Sequence, residues 1–248
     1  MVQQNTMFWR LPTRRPRSVW LDARAAPIPD LSAAQIADAS HDGIVAFGGE
    51  LSVATLASAY RRGIFPWPHT GLPLLWFSPD PRAVLELSAV HVPKSLEKER
   101  KKTRLTFTID AAFAQVIRAC QTVKRPEQGG TWITPAMQAA YIALHDAGYA
   151  HSVEAWNESG ELVGGLYGVD SGGVFGGESM FYREPYASKL CLLHLLDHLR
   201  ARGASFIDIQ QMTEHFAALG ATEIPRDVFL AKLATEQARN LRLWDAPE

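Results

Sequence analysis

The chain has 248 residues, of which 47% are hydrophobic and 21% charged, with 25 Lys+Arg against 26 Asp+Glu and a formal net charge of −1. That length and composition suit one large domain or two small ones around a real core, and exclude a disordered or fibrous protein. The charge balance excludes a protein whose whole surface binds polyanions, so any nucleic-acid site has to be a local patch.

The apolar stretches, such as 190–196, are too short and too interrupted by polar residues to span a bilayer, which needs about 20 apolar residues, and the chain reads as soluble. Near the start stand Arg10, Arg14, Arg15, Arg17 and Arg24 with no acid before Asp22 and no apolar segment after them. This is a basic arm, with a transit peptide as the alternative. Residues 51–62 place Leu51, Leu56, Ala59 and Tyr60 at helical spacing, and Gly63 stops them. From Ile64 to Arg82 prolines alternate with aromatics, too irregular for a helix or a central strand, which predicts an ordered loop lining a cleft.

A mixed α/β pattern follows. Residues 105–109 alternate like a strand, Asp110 is a suitable N-cap for a helix over 111–120, and Thr134-Pro135 supplies a cap and an N1 proline for a helix ending at Gly148. Residues 151–156, 162–169 and 174–181 are strand-like and separated by turn sequences, which predicts an antiparallel meander. Residues 188–202 put Leu192, Leu195, Leu196 and Leu199 on one helical face before a strand over 205–210, so a crossover and one parallel pair are expected.

Alternation along 207–210 puts Asp208 and Gln210 on one face of that strand; an edge strand with a solvated face would show the same pattern. Gly176-Gly-Glu178 allows close backbone approach beside an acid. Lys94, Lys98, Arg100, Lys101, Lys102 and Arg104 stand against only Glu97 and Glu99 over 94–104, a concentration that phosphate contacts need and that a merely solvated face also shows. Cys120 and Cys191 lack partners at ligand spacing, which suggests no disulfide or zinc and fits a reducing cytoplasm. His194 and His198 are four apart but lack a third ligand, so no metal is expected. There is no nucleophile elbow, P-loop or dinucleotide fingerprint.

Taken in order, ten blocks resemble the leucyl/phenylalanyl-tRNA–protein transferases. They begin at 43–52, 59–67 (Ala-Tyr-Arg-Arg-Gly-Ile-Phe-Pro-Trp) and 76–85 (Trp-Phe-Ser-Pro-Asp-Pro-Arg-Ala-Val-Leu), and continue through 130–133, 150–154, 162–168, 177–181, 187–189, 207–210 and 219–221. The resemblance implies an enzyme that moves Leu, Phe or Met from aminoacyl-tRNA to a protein beginning with Arg or Lys, marking it for N-end rule degradation. No cofactor, DNA or membrane would be involved, and a cytoplasmic location is expected. It implies an α+β fold: a small N-terminal α/β domain over 1–82 and a GNAT-like acyltransferase domain over 83–248. Gln210 would contact the attacking amine, with Asp208 behind it and Glu178 nearby. A Gln carbonyl accepts hydrogen bonds but is a very poor base, so positioning by Gln210, electrostatic help from Asp208 and a shuttle through ribose hydroxyl or water are expected. Leu166, Phe175 and Ile207, with Leu192 and Leu195, would form the aminoacyl pocket, and Trp76 and Trp132 would hold the acceptor end. The 94–104 cations would meet tRNA phosphates.

The sequence shows four departures from the family: Tyr182 for Ser, Ile209 for Cys, Glu50 for Asp, and the pair Pro93-Lys94 for Ser-Arg. They bear on pocket detail and one tRNA contact. Competing readings are an acetyl-CoA acyltransferase, a non-catalytic tRNA binder and a transferase with another amine acceptor.

Overall fold

The structure is a computed structural model describing residues 19–20, 35–36, 39, 43–69, 71–123 and 132–245. The basic arm lies outside the described residues.

Strands β1 (Val19–Trp20), β2 (Ile44–Phe47), β3 (Phe65–Pro66) and β4 (Leu75–Phe77) form a four-stranded sheet in the order β1-β2-β4-β3. The supposed loop over 64–82 therefore contains two short strands. Pro66 is tolerated because β3 is an edge strand, paired only with β4, where a missing N–H costs no ladder bond. Helix α1 (Val53–Arg61) starts at Ser52, whose hydroxyl accepts from Thr55 N at 3.3 Å, and buries Leu56, Ala59 and Tyr60. It ends ahead of Gly63, whose φ of 72° suits a residue without Cβ.

A second, seven-stranded sheet begins at Arg82. It contains β5 (Arg82–Glu86), β6 (Thr106–Ile109), β7 (Ala150–Trp156), β8 (Leu162–Asp170), β9 (Phe175–Tyr182), β10 (Phe206–Gln210) and β11 (Thr222–Ile224), in the order β11-β5-β10-β9-β8-β7-β6. The expected meander is present as β7-β8-β9, and β9 pairs in parallel with β10 across the crossover. β5 was hidden at the end of the proline-rich run; buried on both faces, it reads as a continuous Ala-Val-Leu stretch without alternation.

The sheet separates two cores. On β8, Tyr167 and Val169 face helices α3 (Phe113–Thr122) and α4 (Pro135–Asp146), and this core continues into the small sheet. Leu166 faces the opposite core, where α5 (Ala187–Ala201) packs. The sequence assigned no structure to the basic segment, which folds as helix α2 (Lys94–Lys102), or to α6 (Glu214–Ala218) and α7 (Arg226–Ala238). Thr134 caps α4 as expected, accepting from Met137 N at 3.2 Å. Asp110 does not cap α3: its carboxylate takes Ser152 N and His151 Nδ1, while Ala111 N and Ala112 N point at the buried Glu154. Among the described residues no helix is long and apolar enough to cross a membrane.

Candidate active site

β9 and β10 are paired at Ile207↔Phe175 and Asp208↔Gly176. Beyond those pairs, residues 177–180 of β9 and Ile209 to Gln211 line the two sides of a cleft of about 320 Å³. Each strand carries a register shift here. In β9 it falls between the pairs Gly168↔Gly177 and Tyr167↔Ser179, skipping Glu178; in β10 it falls between the Asp208 and Gln210 pairs with β5. A bulge re-aims the side chains that follow it. Gln210 stands at φ 62°, unusual for a residue with a Cβ, and reaches Glu178.

The floor is apolar. Leu166, Phe175, Ile207, Leu192 and Leu195 all line the cleft, the last two being three residues apart on one face of α5. Gly168 allows this floor to close: a Cβ there would lie 2.2 Å from Gly176 O and 2.4 Å from the Phe175 ring. No other residue fits between β8 and the Phe175 ring without displacing one of them.

One end of the cleft is polar. Glu178 accepts from Gln210 Nε2 at 2.6 Å, from Tyr60 OH at 2.7 Å and from Tyr141 OH at 3.3 Å, and the two tyrosine hydroxyls also touch each other. Burial raises the Glu178 pKa to about 7, assisted by the Asp208 charge and opposed by the donated hydrogen bonds. Both phenols are pushed upward, first by burial and then by Glu178. With Nε2 committed to Glu178, the Gln210 carbonyl oxygen is the group left to accept a hydrogen bond.

Asp208 is absent from the cleft lining. Arg82 grips it from behind in a bidentate fork, Nε to Oδ1 at 2.8 Å and Nη2 to Oδ2 at 2.6 Å, with Arg82 only 1% exposed. The guanidinium lies over the rings of Phe65 and Phe229, 5.0 and 4.5 Å from their centroids, and Nη1 donates to Gly63 O. The remaining capacity of Asp208 Oδ1 takes the backbone N–H of Gln210 at 2.9 Å. Asp208 and Gln210 thus do not share an open face: one holds the bulge and the other lines the cleft.

Trp132 lines the cleft, but Trp76 does not; it is fully buried, with Nε1 donating to Gly48 O at 2.8 Å. Stacking on a ligand is closed to it, and the aromatic from the same proline-rich region that does reach the cleft is Trp67. Sequence reasoning also passed over Tyr60, Tyr141, Arg82 and His215. The basic helix is elsewhere. Arg100 pairs with Asp197, which at 3.6 residues per turn lies on α5 nearly opposite Leu192 and Leu195, so α2 packs on the side of α5 turned away from the cleft. Lys101 lies 3.9 Å from Glu97 and Arg104 lies 3.4 Å from Glu158, whereas Lys94, Lys98 and Lys102 form an exposed stripe with no ion pair among the described residues.

Fold and site define an α+β protein with an apolar cleft that ends on a buried carboxylate whose pKa is raised to about 7, equipment suited to an enzyme that moves a proton beside an apolar group. The family model described as leucyl/phenylalanyl-tRNA protein transferase matches residues 84–234, and that of its N-terminal domain matches residues 49–80. Relatives bearing the name leucyl/phenylalanyl-tRNA–protein transferase include that of Nitratidesulfovibrio vulgaris, 48% identical over 86% of this chain and 92% of its own. That of Magnetococcus marinus is 51% identical over 83% and 89%, and that of Chromohalobacter salexigens 52% identical over 85% and 80%. The chain belongs to the leucyl/phenylalanyl-tRNA–protein transferase family. Among solved structures, L-PGS from Bacillus licheniformis aligns with a TM-score of 0.38 and 14% identity over 60% of this chain and 48% of that one, too remote to support any assignment.

Proposed function

We propose that this protein transfers Leu, Phe or Met from aminoacyl-tRNA to the N-terminal Arg or Lys of an acceptor protein, forming a peptide bond that marks the product for N-end rule degradation in the bacterial cytoplasm. The observation that carries this reading, beside family membership, is the apolar slot whose polar end pairs the free carbonyl of Gln210 with Glu178.

The reaction is aminolysis of an already activated ester, so the protein's work is orientation, oxyanion stabilisation and proton removal. The side chain of Leu, Phe or Met fills the floor of Leu166, Phe175, Ile207, Leu192 and Leu195. Trp67 and Trp132 offer faces to the terminal adenine. The attacking α-amine, with an ordinary pKa near 8, donates to the Gln210 carbonyl, and its nitrogen adds to the ester carbon. Glu178 takes the proton the amine loses. Collapse of the tetrahedral intermediate breaks the carbon–ribose oxygen bond, and that oxygen is protonated through the neighbouring ribose hydroxyl or a water. Asp208 acts through Gln210: its charge is matched by Arg82, so it positions rather than stabilises the reacting atoms.

Support for a GNAT-like unit over 83–248, beneath a smaller unit over 1–82, is the seven-stranded mixed sheet with one parallel pair joined by a crossover helix and a cleft where that pair parts. Lys94, Lys98 and Lys102, on the far side of α5, suit phosphates of the tRNA body remote from the ester.

Incubating the protein with labelled Leu-, Phe- and Met-tRNA and a substrate protein beginning with Arg tests this. Label should appear as one added N-terminal residue, and should not appear when the substrate begins with Ala. Binding of tRNA without transfer would make the chain a tRNA-binding protein and refute the reading.

A further inference from the structure

A second cavity, of about 570 Å³, abuts the reactive cleft, and the two share Met180 and His215 in their walls. Its apolar floor includes Val123, Met180 and Phe181, and its polar lining includes Arg183, Lys189 and His215 with no acid among the lining residues. The volume falls within the range of small-ligand sites.

Three features of this cavity are unspent. Lys189 is exposed at the start of α5 and has no ion pair among the described residues. Arg183 uses one nitrogen on Leu162 O at 2.8 Å and lies 5.6 Å from the Phe181 centroid, leaving most of its donors available. His215 Nε2 is shielded from solvent with no hydrogen-bond partner among the described residues, at the junction of the two cavities. Burial, then Lys189, lowers the His215 pKa, so the ring is neutral and Nε2 is able to accept from a hydroxyl or to donate, depending on tautomer. At the rim stands Tyr182, 67% exposed, an aromatic where the resembled family usually carries Ser. An exposed aromatic ring beside two cations, over an apolar floor, matches a nucleotide: base on ring, phosphate on cations.

We propose that this cavity seats the nucleotide immediately 5′ of the terminal adenosine of the aminoacyl-tRNA, its base against Tyr182 and its phosphodiester on Arg183 and Lys189. The inference rests on the activity proposed above. It follows from continuity with the cleft, because a terminal adenosine held at Trp67 and Trp132 with its ester over Gln210 has to lead its 3′ strand out through an adjoining opening. It follows also from charge: an acceptor protein beginning with Arg or Lys would be repelled by Arg183 and Lys189 and drawn instead to Glu178. His215 Nε2 is placed to bond a ribose hydroxyl where the two nucleotides join.

The test compares three esters with the full-length protein and an Arg-initiated peptide: phenylalanyl-adenosine, phenylalanyl-cytidylyl-adenosine and intact Phe-tRNA. Adding the cytidine phosphate should raise kcat/KM in the unaltered protein. In Lys189→Ala and Arg183→Ala that gain should fall by roughly three- to tenfold each. The log–log salt slope of kcat/KM for the dinucleotide ester should lose about 0.7 with the phosphate contact. Tyr182→Ser, an exposed change with little effect on folding, should lower the gain about fivefold without altering the salt slope. A gain that survives all three substitutions overturns the assignment. So does a rise in KM for the peptide with the ester ratio intact, which would make the occupant the acceptor protein. An unaltered protein that transfers from none of the three esters would refute the proposed activity itself, an outcome distinct from either.

Discussion

Replacing Glu178 by Gln keeps the shape of the side chain and its ability to accept from Gln210 Nε2 and Tyr60, and removes only the ionisation. Its carboxyl holds a proton to about pH 7 in the folded protein against an ordinary value of 4.5. Between those values the folded state binds more protons than the unfolded one. The contribution of this group to stability is therefore full below about pH 4.5 and is lost as pH rises to about 7. At about 1.4 kcal/mol per unit, the loss is at most about 3.5 kcal/mol, and smaller to the degree that the cleft is wet. Glu178→Gln should accordingly be more stable than the unaltered protein above pH 7 and lose that advantage near pH 5, as urea unfolding at both values would show. Activity should move the other way. Single-turnover transfer from pH 5.5 to 9 should show a limb near pH 7 from Glu178 and a further rise near pH 8 from the amine; the variant should lose the lower limb and about 10²- to 10⁴-fold in rate. A variant that keeps the limb near pH 7 at nearly full rate would show that the proton leaves by another route.

Asp208→Ala strands the buried Arg82 charge and should cost about 3–5 kcal/mol, whereas Arg82→Met with Asp208→Leu should recover much of the stability in thermal unfolding without recovering transfer. Asp208→Asn and Gln210→Ala, which act on one amine contact, should be strongly non-additive in kcat; a sum of the single effects would separate their roles. Charge reversal at Lys94, Lys98 and Lys102 should flatten the salt dependence of tRNA binding by roughly 0.7–0.9 per lost contact, and an unchanged slope would leave α2 a solvated face. Phe175→Ala, at a position 1% exposed, should cost about 3–5 kcal/mol and, if folded, shift the Phe/Leu ratio of kcat/KM by ten- to a hundredfold at most; an unchanged ratio removes Phe175 from the pocket wall.

The elements legible in the sequence were those whose signal is local. Thr134-Pro135 and the leucines of 188–202 carry cap chemistry and periodicity that need no partner to be read. The apolar pocket residues were reachable through motif matching, and the structure brings all five to one cleft. What escaped was set by pairing at a distance. β5 looks like loop because Pro79 and Pro81 precede it and its burial comes from β10 and β11, more than a hundred residues away. Nothing in the proline-rich segment sets Arg82 apart; only its contact with Asp208, 126 residues on, makes it a buried fork. Trp76 and Trp67 are equally conspicuous as letters, and only the packing of the small sheet, which buries Trp76 and leaves Trp67 in the cleft lining, tells them apart. The two bulges that turn Glu178 and Gln210 together break the alternation from which their faces were read, and a bulge leaves no mark in a single sequence unless a glycine signals it.

The polar end of the cleft belongs to neither sheet alone. Glu178 and Gln210 stand on the large sheet, but the hydroxyl that donates to Glu178 at 2.7 Å comes from Tyr60 on α1, and the Arg82 fork that fixes Asp208 is itself fixed by Gly63 O and the Phe65 ring, both between α1 and the small sheet's β4. A fragment beginning at residue 83 would lose all of these at once. Asp208 would then be a buried carboxylate without its cation, a state that costs about 3–5 kcal/mol. The stretch from α1 to β3 supplies the carbonyl and the ring that hold the Arg82 charge against Asp208, and one of the donors that keep the Glu178 pKa near 7 instead of higher.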